Sequence, residues 1–389
     1  MTTEELLQDR IKIVRGAANM EHPYRIPVVS FFVTWKILDA GYKLSEALQS
    51  YDIMEKVVRH HQEAYNFDML NDVGIRNPYR FAAAMGSNTY EVDDEKESLA
   101  VHDIHIAEPE QYKLLTQNYF KFLWEVGMPN KYDWWGEETD VSKIQAAIGE
   151  MMGFMGFSGK INMIMTKEYG LPPRVAPNPL PQMSIENVLG FIFGIKGTSM
   201  MMRRNKEGLH EVLNTMDAMF YTPALAGMKN LPEGQNHQFC YDSLLAMLAH
   251  NFMNPAQFEE FYLPSLKPYM DVMQEKKMNG LIFTEGSILR FKDAFKDYNK
   301  GVLTLLPEND DVFEMHKELP NVSIMGGMPC SILGHGTKEE CLDRAKKVCD
   351  EIGCDGGLLF SQDKMGSYRN DATPENLKAV NDFVREYRG

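Results

Sequence analysis

Between Asn279 and Lys364 the chain passes through four short apolar stretches, each closed by a polar or glycine-rich break, with charged, helix-like segments between them. They are Gly280 to Thr284 before Glu285-Gly286, Val302 to Leu306 before Pro307-Glu308-Asn309-Asp310-Asp311, Val322 to Met325 before Gly326-Gly327-Met328-Pro329, and Gly357 to Phe360 before Ser361-Gln362-Asp363-Lys364. Near-continuous apolar runs are what parallel strands buried on both faces require. Strand and helix in alternation predict an α/β chain built as a β/α barrel, whose chemistry sits at the C-terminal ends of the strands. Glu285, Asp310, Asp311, Cys330, Asp363 and Lys364 fall at or just after those ends.

A chain of 389 residues accommodates one elaborated barrel. Its formal charge of -15 argues against a nucleic-acid partner, which needs clustered Lys and Arg to meet phosphates, and no basic stripe is present. Residues Met1 to Arg15 lack the apolar centre of a signal peptide, and no apolar stretch reaches membrane-spanning length, so a cytoplasmic protein is expected. The five cysteines form no CxxC pair and no disulfide framework. Among the 27 methionines, Met151, Met152, Met155, Met163 and Met165 gather around Gly153, Gly156 and Gly159; they read either as core filling or as a soft wall facing a ligand or partner.

Thr2 to Ala18 reads as an amphipathic helix within an N-terminal extension, residues 1–24, and Val28 to Val33 as the first barrel strand. A helix over Leu44 to Tyr65 leads into a second strand, Phe67 to Leu70, which delivers Asn71-Asp72. From about Asn77 to Glu168 the alternation lapses, and this stretch, with its helix over Pro109 to Val126 and Tyr132-Asp133-Trp134-Trp135, reads as an insertion over the barrel mouth. The prolines from Pro172 to Pro181 predict a loop. A strand around Gln238 to Cys240 would present Tyr241-Asp242 at its end.

Asn254 to Pro264, reading NPAQFEEFYLP, resembles the "SPEQFEEFxLP" segment of the uroporphyrinogen decarboxylase superfamily, including its corrinoid-dependent methyltransferase branch. Leu281 to Gly286 is similar to a strand ending in "EG" or "HxCG", Met325 to Pro329 to an "xGNVP" turn, Gly356 to Ser361 to "GGFILS", and Thr373 to Val380 to "KPENVKAM". Upstream, Phe67 to Val73 resembles the "FSDI" strand end, whose aspartate faces the pocket. The resemblance implies a (β/α)8 TIM barrel in one domain over residues 1–389. Where true decarboxylases carry an arginine-rich "RQAGRY", this chain has Ser30 to Lys36 without an arginine, so porphyrinogen decarboxylation is not expected. The "EG" ending and "PEN" are most similar to the first methyltransferases of anaerobic O-demethylase systems. These move a methyl group from aromatic ethers to a corrinoid on a separate small protein, and the Trp-rich insertion suits such a substrate.

Breaking an aryl methyl ether leaves a phenolate that a metal or a positioned proton must stabilise. In the branch resembled, zinc usually does this, but here Phe283 and Glu285 stand where "HxCG" has His and Cys, Lys364 stands where another Cys is supplied, and Leu305 where a further His is frequent. Glu285 is therefore the surviving metal candidate. Zinc rebuilt on it with Asp310 or Asp311, Asp363 or Cys330 is one alternative. A metal-free pairing of Glu285 with Lys364, the lysine or a carboxylic acid giving the proton, is another. A plain structural salt bridge is the third. Asp72 and Asp242 complete the catalytic candidates. Phe32, Trp35, Trp134, Trp135 and Tyr241 are the candidate substrate-binding residues. The expected activity is methyl transfer from a small methoxy-aromatic donor to the cobalamin of a corrinoid protein. The enzymatic alternative is a decarboxylase of another substrate, the non-enzymatic one a ligand-binding relative, and a homodimer is compatible with either.

Overall fold

All four apolar runs are strands. In a computed structural model describing residues 1–72, 74, 78–102, 105–136, 138–177 and 180–388, β1 is Val29–Ser30, β2 Met69–Leu70, β3 Tyr90–Asp93, β4 Ser98–Val101, β5 Ser243–Met247, β6 Gly280–Thr284, β7 Leu303–Pro307, β8 Ser323–Met328 and β9 Leu358–Gln362. Val73, Asn77 and Pro179, which enter the sequence reading, lie outside the described residues. Strands β5 to β9 form one parallel sheet in sequence order, every residue of β6 to β9 buried, as two covered faces demand. A second parallel pair, β1 with β2, meets this sheet through a bridge from Val28 to Phe360. At the opposite edge Val175 bridges Tyr241, so an isolated extended segment flanks β5.

The chain is thus α/β with a parallel five-stranded sheet at its centre. The acidic stretch after Asn77 holds a hairpin, β3 with β4, that hydropathy did not announce. Helix α1, Thr3–Ala18, is closed at its start by a capping box between Thr2 and Glu5. Helix α2, Val141–Tyr169, carries the methionine and glycine cluster. The predicted helix over Leu44 to Tyr65 is two helices divided at Ser50, whose side chain caps the second. The predicted strand at Gln238 to Cys240 is corrected: β5 begins at Ser243, because Tyr241 and Asp242 are occupied in closing the sheet's other end.

Two buried clusters explain the geometry. The larger packs the outer strand faces against the surrounding helices and holds residues from Ile26 to Val384. The smaller joins inward residues of the strands, including Phe31, Met69, Leu281, Phe283, Leu306, Met325 and Leu359, to Ile13, Val14, Ala17 and Ala18 of α1. One face of α1 therefore covers the strands at the end where Asp242 lies. No helix among the described residues is long and apolar enough to cross a membrane.

Candidate active site

The strands open at their C-terminal ends into a cavity of about 700 Å3, within the range of small-molecule sites. Its floor is apolar: Phe31 and Phe283 meet edge to face at 5.3 Å, flanked by Leu281 and Leu306. One wall is the C-terminal half of α2, with Ser158, Asn162 and Thr166 turned back to backbone carbonyls. The polar edge is Asn71 and Asp72, just beyond β2, together with Arg174.

Asp72 is the sequence-predicted catalytic residue that lines this cavity. Its Oδ2 accepts from Lys36 Nζ at 2.5 Å, and the same ammonium donates to the Asp72 carbonyl at 2.9 Å. Lys36 is 1% exposed and Asp72 10%, so a buried cation stands behind a carboxylate that reaches the cavity edge. Arg174 donates through Nη1 to the Asn71 carbonyl, tying the segment beside β5 to the end of β2. Lys36, Arg174 and Phe31 were not singled out from sequence. Lys36 closes the stretch Ser30 to Lys36, which was weighed in the sequence only for its lack of arginine.

Glu285 follows β6, half-buried, with its N–H donating to the Met247 carbonyl at 3.0 Å and its carbonyl accepting from Asn251 Nδ2 at 2.7 Å. The next residue has to be glycine. Gly286 sits at φ +72, and a Cβ there would come within 2.0 Å of Asn251 Oδ1. Lys364 is 41% exposed and pairs with Asp371 at 2.9 Å. Its partial burial opposes the charge, but Asp371 outweighs this and holds the ammonium above the ordinary lysine range.

Asp242 lies before β5, at the N-terminal ends of the strands. It takes Arg15 in two hydrogen bonds of 3.1 and 3.3 Å and accepts from the Asn236 and Asn279 N–H groups at 2.7 and 2.9 Å. Tyr241 is fully buried beside it. Phe32 and Trp35 pack with tilted rings 4.4 Å apart in the outer core, with the indole of Trp35 donating to the Ala372 carbonyl. Trp134 and Trp135 pack beside Met85, Tyr132 and Ala147 in a cluster of their own.

A titratable group absent from the sequence reading lies close to Glu285. Glu186 is 5% exposed and accepts from the Tyr262 hydroxyl at 2.5 Å and from the Leu248 and Ala249 N–H groups. Burial pushes its carboxyl up to about 7; those donors pull against the shift and the charge of Glu285 adds to it. His250, buried just after β5, is pushed down to about 4 by burial and by Arg290.

The acidic residues proposed as zinc ligands have other partners. Asp310 accepts from Ser287 and the Ile288 N–H, Asp311 caps the helix Val312–Glu318, and Asp363 accepts from the Cys330 N–H at 2.9 Å. No group of three or more His, Cys, Asp or Glu side chains among the described residues could hold a metal ion. The donor set does not fit zinc.

Residues 188–387 match the model of the family described as uroporphyrinogen decarboxylase (URO-D). The chain belongs to this family. Its fold is similar to that of a methyltransferase from Methanosarcina mazei, with a TM-score of 0.58 over 99% of both chains at 14% sequence identity. No match was found among curated proteins. The matched span includes Glu285-Gly286, whereas Asp72 and Lys36 lie before it.

Proposed function

We propose that this protein is a methyltransferase that moves a methyl group from a small methoxy-aromatic donor to the cobalt of a corrinoid held by a separate protein. The observation carrying this reading is a cavity with an aromatic floor and a buried Lys36–Asp72 pair at its edge. The similar fold of the methyltransferase from Methanosarcina mazei supports it. The same reading takes the fold as an eight-stranded barrel. Strands β1, β2 and β5 to β9 supply seven staves, and the segment bridging Val175 to Tyr241 supplies the eighth.

In this reaction the methyl carbon leaves its oxygen, the C–O bonding pair stays on that oxygen, and a proton must reach it. Geometry favours Lys36 and Asp72 for this work over Lys364 and Glu285, since Asp72 borders the cavity and Lys364 is tied to Asp371. The corrinoid is the acceptor and approaches from outside. Met152, Met155 and Met163 of α2 are exposed, and Met163 lines the cavity, so this soft face is the proposed seat of the corrinoid protein.

The test follows cobalt(I) corrinoid turning into methyl-cobalt with a panel of methoxyarenes. Transfer should appear with at least one donor and should fall on the order of a hundredfold in Asp72→Asn. No transfer with any donor removes the reading. A decarboxylase of a non-porphyrin acid is the second reading, favoured by family membership and by Asp72 at the cavity edge; release of CO2 from an aromatic acid would select it.

A further inference from the structure

A second cavity, of about 390 Å3 and within the range of small-molecule sites, opens between the insertion and the segment that begins at Pro181. It shares no lining residue with the cavity at the strand ends. Its walls include Tyr119, Leu123, Phe191, Ile192, Met216 and Phe220. Three of the segments that frame it, Leu123–Gly127, Val188–Ile192 and Asp217–Tyr221, are π-helical turns, a rare winding found frequently at functional sites. Two of the wall rings stand open to water, Phe191 at 56% and Phe220 at 37% exposure. Exposed rings around a concave space are what an apolar ligand body would cover.

Lys131 is the single charged residue among the described residues lining this cavity. Its neutral polar neighbours donate elsewhere: Ser184 to Asp217 at 2.5 Å, Asn187 to the Gln182 carbonyl at 3.1 Å, and Gln182 to the Ala246 carbonyl at 2.9 Å. The ammonium of Lys131 lies 5.6 Å from the centre of the Tyr132 ring, and no ion pair ends on it among the described residues. Burial pulls its proton affinity below the ordinary lysine range, with no carboxylate to raise it. A half-buried cation of this kind gains from an incoming anion, which replaces the stabilisation that water no longer gives. On its other side Lys131 borders a more polar hollow that also holds Asp133. That carboxylate opposes a second negative charge, so a singly charged head group fits best.

We propose that this second cavity binds a small amphiphilic acid, its hydrocarbon body among Leu123, Phe191, Ile192 and Phe220 and its carboxylate on Lys131. The site is separate from the one assigned to the methyl donor and does not rest on that reading. The apolar walls supply affinity without regard to charge, and Lys131 supplies the choice of head group.

The experiment is titration calorimetry on the full chain with a matched pair, octanoate and octanamide, which share a chain and differ in charge. The acid should bind about tenfold or more tightly than the amide. Lys131→Met should bring the two within about twofold while leaving amide binding unchanged, and it breaks no ion pair among the described residues. Phe220→Ala should weaken acid and amide alike, by about threefold or more, because it removes wall area and leaves the charge in place. Phe220 is partly exposed, so this variant stays informative should Lys131→Met fold poorly. Equal affinity for the two compounds, a preference that survives in Lys131→Met, failure of both compounds to bind, or binding untouched by Phe220→Ala overturns the proposal.

Discussion

The strands have two ends, and a carboxylate paired with a buried cation stands at each. At the N-terminal end Asp242 holds Arg15 of α1, whose Ile13, Val14, Ala17 and Ala18 pack onto the inward strand residues. At the C-terminal end Asp72 holds Lys36, and the space above it is an open cavity. The chemistry of the pairs is alike; what each faces is not. Asp242 bonds to Arg15, Asn236 and Asn279, and so joins the extension to the sheet. Asp72 spends one oxygen on Lys36 and borders empty volume with the rest. Strand polarity therefore separates an aspartate that braces the fold from one that borders a cavity.

The sharpest way to break this contrast is to remove the brace. Asp242→Ala leaves the Arg15 guanidinium buried without its carboxylate and should cost on the order of 3–5 kcal/mol in urea denaturation. A loss below about 1 kcal/mol would show that the closed end does not depend on the pair. Next in size is a pH effect at the open end. Glu186 titrates at about 7 in the folded chain against 4.5 ordinarily, chiefly through burial. Between those values the folded chain keeps a proton that the unfolded chain has shed, so stability is fully present below about 4.5 and declines as pH rises toward 7. The decline should approach ~3 kcal/mol, and Glu186→Gln should flatten it. An unchanged slope in the variant would assign the decline elsewhere. Third, Asp72→Asn should cost about 2 kcal/mol or less in stability, because Lys36 keeps the Asp72 carbonyl. Methyl transfer in the same variant should fall on the order of a hundredfold, so activity and stability part company at the open end as they do not at the closed one.

How far the sequence led differs between the same regions. The strands from Gly280 onward could be read nearly to the residue, because burial on both faces writes an uninterrupted apolar run. β1 and β2 are two residues each, too short to impose a period, and only their flanks suggested them. Asp242 was misplaced to a strand's far end because Phe239-Cys240-Tyr241 is apolar and strand-like. Cys240 and Tyr241 are buried against α1, and Tyr241 is also bridged by Val175, contacts far apart in sequence. Within the site, Asp72 was legible from its strand-end motif. Arg174 was not: it stands among prolines that mark a loop, and the bond bringing it to Asn71 spans 103 residues. Glu186 stayed hidden for the same reason, since its raised proton affinity comes from burial among segments far apart in sequence, against the pull of the Tyr262, Leu248 and Ala249 donors. Trp134 and Trp135 looked like a ligand wall by composition, yet their indole N–H groups are held by the Met85 and Trp124 carbonyls.

The smallest expected effect separates Lys364 from Lys36. Both lysines follow strands at the open end and both pair with an aspartate, but Lys36 is 1% exposed and Lys364 41%. An ion pair that open to water contributes little, so Lys364→Met should change stability by less than about 1 kcal/mol. Asp371 also accepts from the Ser367 and Tyr368 N–H groups at 2.7 and 2.8 Å, which keep it satisfied when the ammonium is gone. A lysine whose proton affinity Asp371 raises is a poorer acid than an ordinary one, so methyl transfer should fall by no more than about threefold in this variant. Steady-state rates for Lys364→Met beside Lys36→Met decide the matter. A hundredfold loss at Lys364 with little at Lys36 would move the proton source across the mouth to the Glu285 side, and with it the side of the cavity that the donor oxygen must face.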